Sequence, residues 1–193
     1  MLHAVRRIPV APGDVVVVLG AGPMGLFMVS ALRGRHRPNL GVAAMDRLEH
    51  RLVVAREMGA IHALNTSECP AAEALRQATG RPTADVVIEV IGSVGTHREA
   101  LSLVGRGGTL VSFGGVAPGQ SLPVDVGHLH YEEIGILPIY HHTPRDIAEA
   151  VQRLAAGEVP VERLITARLP MEQLATALGM VAEKTTLRTL LFP

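Results

Sequence analysis

The sequence predicts an α/β fold built on a doubly wound parallel sheet, and two observations carry that prediction. The runs Val15-Val16-Val17-Val18-Leu19 and Ala84 to Val90 (ADVVIEV) are apolar over most of their length instead of alternating, as suits parallel strands covered on both faces. Around them, segments with helical apolar spacing alternate with further short apolar runs and glycine stops, which is the pattern of successive βαβ units.

Residues 1–7 read as the last turns of a helix begun earlier, with Leu2, Ala4 and Val5 on one side and no N-cap signal ahead of them. Pro12-Gly13-Asp14 is turn chemistry leading into the first strand. Gly20-Ala21-Gly22-Pro23-Met24-Gly25 then spells G-x-G-x-x-G between that strand and a helix that uses Leu26, Val29, Ala31 and Leu32. Gly20 serves the tight turn, Gly22 lets a pyrophosphate approach the backbone, and Gly25 lets helix and strand pack closely. Pro23 suits a first helical position, and the helix N-terminus offers free N–H groups to phosphate. Gly41 to Met45 is a second strand, ending at Asp46, 46 − 25 = 21 positions beyond the last glycine. A carboxylate there accepts from the adenosine ribose hydroxyls and repels a 2′-phosphate, which selects NAD. Arg35, Arg37, Arg47 and Arg51 stand near the same corner, and arginines there can receive a 2′-phosphate, which leaves NADP as the alternative.

A helix follows from Asp46 to Met58, stopped by Gly59. A third strand runs from Ile61 to Leu64, and a helix then continues through Ala71, Ala74, Leu75 and Ala78 to Gly80. The second half repeats the scheme. After the strand Ala84 to Val90, Gly92 breaks the chain, Thr96 to Val104 is helical, and Thr109 to Phe113 forms a strand closed by Gly114-Gly115. Ser121 to Val126 reads as a short edge strand, Ile134 to Ile139 as a further strand, and Pro144 to Ala156 as a helix stopped by Gly157. Two mononucleotide-binding halves result, in the arrangement known as the Rossmann fold, with ligand expected across the carboxyl ends of the strands. From Glu158 the character changes. Leu164-Ile165 precede a helix from Met171 to about Val181 and a last strand, Leu187 to Phe192, so the expected division is 1–157 and 158–193.

Composition narrows the field. The chain has 193 residues with 18 basic and 18 acidic side chains, and no run of charge suggests capture of nucleic acid or of an anionic membrane. No apolar run reaches the ~18 residues of a membrane span and no signal-peptide core is present, so a cytoplasmic protein is expected. Cys69 is the only cysteine, which excludes an internal disulfide and a cysteine-rich structural metal site within the chain. It precedes Pro70 near a helix start with no base suggested beside it, and reads as passive. His128, His130, His141 and His142 fall at expected strand and loop boundaries without metal-ligand spacing, so they read as surface residues. Glu89 sits inside a buried strand, where a general base and a paired structural carboxylate are alternative readings.

In PGDVVVVLGAGPMG, DRLEHRL, REMGA, ADVVIEVIG, GRGGTLVSFGG, HLHYEEI, YHHTP and LITARLP, the chain resembles the zinc-type medium-chain alcohol and polyol dehydrogenase superfamily, near its sorbitol and threonine dehydrogenase branch. The likeness covers nearly all of the chain. It implies Gly20, Gly22, Pro23, Met24 and Gly25 at the pyrophosphate, Asp46 on the ribose and Arg51 near the adenosine. Val90, Ile91 and Gly92 would run along the cofactor, and Phe113-Gly114 would offer backbone groups to the nicotinamide carboxamide. The sequence departs from the branch at Pro138-Ile139, where Gly-Ser is usual.

In that family the catalytic zinc, its ligands and most of the substrate pocket belong to an N-terminal domain absent from these 193 residues. The resemblance therefore implies no catalytic and no metal-binding residue here. It also implies that residues 158–193 pack on that other domain. The expected function is the NAD-binding domain of an enzyme that moves a hydride between a secondary alcohol or polyol and NAD, inactive alone. The alternative is a non-enzymatic dinucleotide-binding module or partner-dependent subunit. The resemblance further implies a homodimer through the edge near Ser121–Val126.

Overall fold

The computed structural model describes residues 1–33 and 40–193, so Arg35 and Arg37 lie outside the described residues. The chain forms two compact units, Met1–Glu149 and Ala150–Pro193. In the first, α1 (Leu2–Arg7) is followed by β1 (Val15–Leu19), α2 (Pro23–Leu32), β2 (Gly41–Asp46), α3 (Glu49–Glu57), β3 (His62–Asn65) and α4 (Ala71–Thr79). Then come β4 (Ala84–Glu89), α5 (Val94–Ser102), β5 (Val104–Ser112), α6 (Val126–Tyr131), β6 (Gly135–Pro138) and α7 (Pro144–Ala155), whose last turns cross the divide.

The six strands form one parallel sheet in the order β3-β2-β1-β4-β5-β6. Order reverses between β1 and β4, and loops leaving the carboxyl ends on either side of such a point open a crevice. β1 is central because its side chains suit nowhere else: Val16, Val17 and Val18 are completely buried although they point alternately to opposite faces. One face packs Val17, Leu19, Ala43, Met45, Val87 and Leu110 with Ala71 and Leu75 of α4, Ala100 of α5 and Leu103. α2 and α3 contribute the fully buried Leu26, Met28, Val29, Leu32, Leu52 and Ala55, each worth up to about 1.5–3 kcal/mol for the larger side chains.

Asp85 ties the amino ends of the two central strands. Its Oδ2 accepts from Val15 N at 2.8 Å and from Arg81 Nη2 at 2.6 Å. Burial alone would raise its pKa, but the hydrogen bonds from Arg81 and the Val15 amide outweigh it and hold the carboxyl below its ordinary value. A lowered folded-state pKa contributes stability above the unfolded value of about 3.9 that disappears as pH falls through the folded one. Asp85→Asn should therefore melt below the parent chain at neutral pH. The gap should close on acidification below about pH 4. Parallel melts at neutral and acid pH check this, and a gap independent of pH would contradict it.

Three expectations need correction. Residues 121–125 form no strand: Leu122 and Val124 alternate with exposed neighbours as a strand would, but Pro123 cannot donate to a ladder. Asp125 then caps α6, its Oδ1 accepting from His128 N at 3.1 Å, so His128 and His130 lie in a helix and not at a strand boundary. β5 begins at Val104, five residues earlier than expected, because its register against β4 shifts between Ala84 and Val86 and absorbs Gly105 to Gly108 as an irregularity.

The second unit contains a strand that the sequence pattern did not reveal. β7 (Ile165–Pro170) pairs in parallel with β8 (Arg188–Phe192), and α8 (Leu174–Ala182) connects them. Thr166 and the buried Thr186 bond through their hydroxyls at 2.6 Å, and Thr166 Oγ1 also accepts from Leu187 N at 2.8 Å. Leu164, Ala177 and Leu187 are buried, whereas Met171, Leu174, Leu178, Val181, Leu190 and Phe192 are exposed. Among the described residues no helix is long and apolar enough to cross a membrane.

Candidate dinucleotide site

The loops at the carboxyl ends of β1, β2, β4 and β5 meet in one arc. At its first end is Asp46, the last residue of β2. Asp46 Oδ1 accepts from Arg47 N at 2.8 Å and Leu48 N at 3.0 Å, and Oδ2 accepts from Ala21 N at 2.8 Å. A carboxylate offers about four acceptor positions, so roughly one, on Oδ2, is left for a hydroxyl. Arg51 Nη1 stands 3.8 Å from that oxygen, and Arg51 Nε is buried with no hydrogen bond among the described residues. Arg47 is exposed.

The glycine turn comes next. Gly20 has φ +109°, a conformation that side chains rarely adopt, and its amide donates to Met45 O at 2.8 Å. A Cβ on Gly25 would overlap the Gly20 carbonyl oxygen and lie 2.9 Å from the carbonyl carbon. Gly22 is different: a Cβ there would find only Arg51 Nη1, at 3.7 Å. Gly20 and Gly25 are thus glycine for packing within the chain, and Gly22 leaves open space beside a guanidinium. Pro23 opens α2 at its first position, where the amides of Met24 and Gly25 have no intrahelical acceptor. Open space, a cation and free N–H groups form a cradle that fits a pyrophosphate.

The other end of the arc belongs to β4 and β5. A Cβ on Gly20 would lie 2.7 Å from Ile91 Cγ1 and 3.1 Å from Val90 Cγ2, so these residues adjoin the turn, and Ile91 is exposed. Gly92 (φ +88°) and Gly114 interlock, since a Cβ on Gly92 would lie 2.5 Å from Gly115 O and one on Gly114 would lie 2.7 Å from Gly92 Cα. Phe113 N and Gly114 N both donate to Glu89 O, at 3.1 and 2.9 Å. Of the backbone groups at Phe113-Gly114, the amides are therefore already engaged and the carbonyls remain. Pro138 pairs in register with Ser112 at the end of β6, and Ile139 N donates to Ser112 O at 3.0 Å.

Beneath this end lies a polar cluster that the sequence hinted at only through Glu89. Glu89 is wholly buried, and its Oε1 accepts from Ile91 N, Gly92 N and Thr96 Oγ1, each at 2.8 Å. Oε2 has no hydrogen-bond partner among the described residues but lies 3.3 Å from His97 Nδ1. His97 Nδ1 is 2.8 Å from Ser93 O, and Nε2 is 2.9 Å from Ser112 Oγ. Carboxylate, imidazole and hydroxyl follow one another as in an acyl-transfer triad. The two amides after Ser112, however, are committed to Glu89 O and do not form an oxyanion hole. The paired reading of Glu89 is the one its contacts support. Sequence reasoning missed His97 and Ser112; their one local signal was the capping box in which Ser93 and Thr96 start α5.

The remaining candidates stay apart. His128 and His130 are exposed on α6, and His141 (φ +61°) and His142 are exposed in the loop before α7. Cys69 is half-buried and free. Among the described residues no group of three or more His, Cys, Asp or Glu could hold a metal ion.

Comparison with known proteins bears on the family and the fold. A family model described as zinc-binding dehydrogenase matches residues 23–156. Sorbitol dehydrogenase of Bacillus subtilis (strain 168) is 31% identical over 159 residues, 82% of this chain and 44% of that protein. L-threonine 3-dehydrogenase of Streptomyces coelicolor is 31% identical over 139 residues, 72% of this chain and 39% of its own. Among solved structures, an alcohol dehydrogenase from Thermus sp. ATN1 superposes with a TM-score of 0.86 at 27% identity, covering 98% of this chain and 55% of that one. The chain spans about half the length of the relatives it matches.

Proposed function

We propose that this chain, which belongs to the zinc-binding dehydrogenase family, is its NAD-binding half, acting in hydride transfer between a secondary alcohol or polyol and NAD. The observation that carries the reading is the arc itself: Asp46 and Arg51, the open face of Gly22, Val90-Ile91 and the Gly92–Gly114 crossing are contiguous. Its chemistry suits a dinucleotide, with hydroxyl acceptor, phosphate cradle and apolar end in that order. Asp46 Oδ2 would take a ribose hydroxyl, Arg51, expected near the adenosine, would reach with the α2 N-terminus to the pyrophosphate because its Nη1 borders Gly22, and the carbonyls of Phe113-Gly114 would take the carboxamide N–H groups. NAD, when bound, supplies the hydride acceptor. The chain's own residues bind it, orient it and exclude water from one face.

NADH is expected to bind roughly tenfold or more tightly than NADPH, about 1.4 kcal/mol, because the single open position on Asp46 suits a hydroxyl and its charge opposes a phosphate. Asp46→Ala should bring the two within about threefold. Fluorescence titration of both cofactors against both chains decides the matter. Equal affinities in the parent chain would overturn the NAD assignment.

We also propose a homodimer, with its contact moved from 121–126 to β6. This strand ends the sheet with a neighbour only at β5 among the described residues, and Ile136 on it is exposed. Light scattering at tens of micromolar, about the range in which such dimers persist, should give twice the chain mass, and Ile136→Lys should halve it. A monomeric mass in the parent chain would refute the pairing.

A further inference from the structure

We propose that Glu89 and His97 are the positioning pair for the nicotinamide end of the site, a role that deepens the dinucleotide reading above and rests on it. One residue, Glu89, holds both loops. Its side chain takes the amides of Ile91 and Gly92, and its main-chain carbonyl takes those of Phe113 and Gly114. All four amides are thereby turned inward, and what the loops offer outward is carbonyl oxygen and apolar side chain. The nicotinamide ring and its carboxamide N–H groups need that combination.

The geometry requires a carboxylate here. Ser93 O only accepts, so His97 Nδ1, 2.8 Å away, carries a hydrogen. That same N–H faces Glu89 Oε2 at 3.3 Å, the one buried oxygen in the cluster without a hydrogen bond among the described residues. Nε2 lies 2.9 Å from Ser112 Oγ, which links His97 to the last residue of β5. A glutamine at 89 could keep its oxygen under the three donors now on Oε1. Its NH2 would replace Oε2, setting donor against donor at His97. Gly114 adjoins the same atom, since a Cβ built on it would lie 2.5 Å from Oε2. The strain falls on the Gly92–Gly114 crossing and leaves Asp46, Arg51 and the glycine turn untouched.

The test separates the two ends of the cofactor. ADP-ribose carries the adenosine, pyrophosphate and second ribose but no nicotinamide, so NADH and ADP-ribose are titrated against the parent chain, Glu89→Gln and the milder Ser112→Ala. The parent should hold NADH about fivefold or more tightly than ADP-ribose. Glu89→Gln should leave ADP-ribose within about twofold and weaken NADH to the ADP-ribose level, with loss of the nicotinamide fluorescence enhancement. Ser112→Ala should move in the same direction by about two- to threefold, and it decides the question if Glu89→Gln does not fold. Equal weakening of both ligands would mean a merely structural role and overturn the proposal, as would an unchanged ratio or a parent chain that holds NADH no better than ADP-ribose. A parent chain that binds neither ligand would overturn the dinucleotide reading itself, and this proposal with it.

Discussion

Gly25→Ala is expected to cost the folded chain about 3 kcal/mol, the upper end of what a forced extra methyl costs in a packed interior, and to abolish tight dinucleotide binding. The cause is backbone meeting backbone. The new Cβ would overlap the Gly20 carbonyl oxygen and lie 2.9 Å from its carbon and 3.3 Å from Val90 Cγ2. No side chain can rotate away, so α2 must lift from β1, and its first-turn amides move with it. For a chain of this size each kcal/mol lowers the melting temperature by about 2–4 °C, so a fall of roughly 6–12 °C is expected. Gly179→Ala is the control, because it lies within α8 where a Cβ would meet nothing within 4 Å, and alanine favours a helix by up to about 1 kcal/mol. If Gly25→Ala melts and binds NADH like the parent, the close helix–strand packing assigned to Gly25 is wrong.

The second large effect concerns activity. The 193-residue chain alone is expected to bind NADH and to oxidise no alcohol above background. Supplying the zinc-bearing half of a full-length relative should then raise alcohol-dependent NAD reduction by at least about 10³-fold. The motive is twofold: the chain spans about half of the relatives it matches, and its second unit exposes Met171, Leu174, Leu178, Val181, Leu190 and Phe192. Where such side chains form one contiguous patch, they mark an interaction surface. Hydrogen exchange at residues 158–193 should slow when the other half is added. Zinc-dependent turnover by the chain alone would defeat the expectation. Exchange and activity both unmoved by the added half would favour a non-enzymatic binding module instead.

Most of the sheet was legible because burial on both faces leaves an unambiguous mark. The valines of β1 admit no amphipathic reading, and Gly20, Gly59, Gly80 and Gly92, all at positive φ, punctuate the chain where the elements end. The misread stretches are those where a local pattern was true and its context was absent. Leu122 and Val124 do alternate, yet no strand among the described residues lies beside them to pair. β7 carries Ile165, Ala167 and Leu169 on alternate positions, a signal lost because its partner β8 lies well beyond it in the chain and in a separate sheet. The glycine turn and Asp46 were placed by spacing alone. The Glu89 cluster was not, since His97 reaches Glu89 and Ser112 reaches His97 from different elements, and only the folded sheet brings them together.

The bond between Val15 N and Asp85 Oδ2 spans seventy positions, and it has a consequence for synthesis. β1 leaves the ribosome before β4, its neighbour on the second side, which follows only after those seventy residues. At about 5–20 residues per second the interval is roughly 4–14 s. Throughout that time the most apolar strand of the molecule can pair with β2 alone and presents its other edge to solvent. The nascent chain is thus most vulnerable to sticking to its neighbours before the second mononucleotide-binding half has been made, and a ribosome-associated chaperone would find its target at Val15–Leu19.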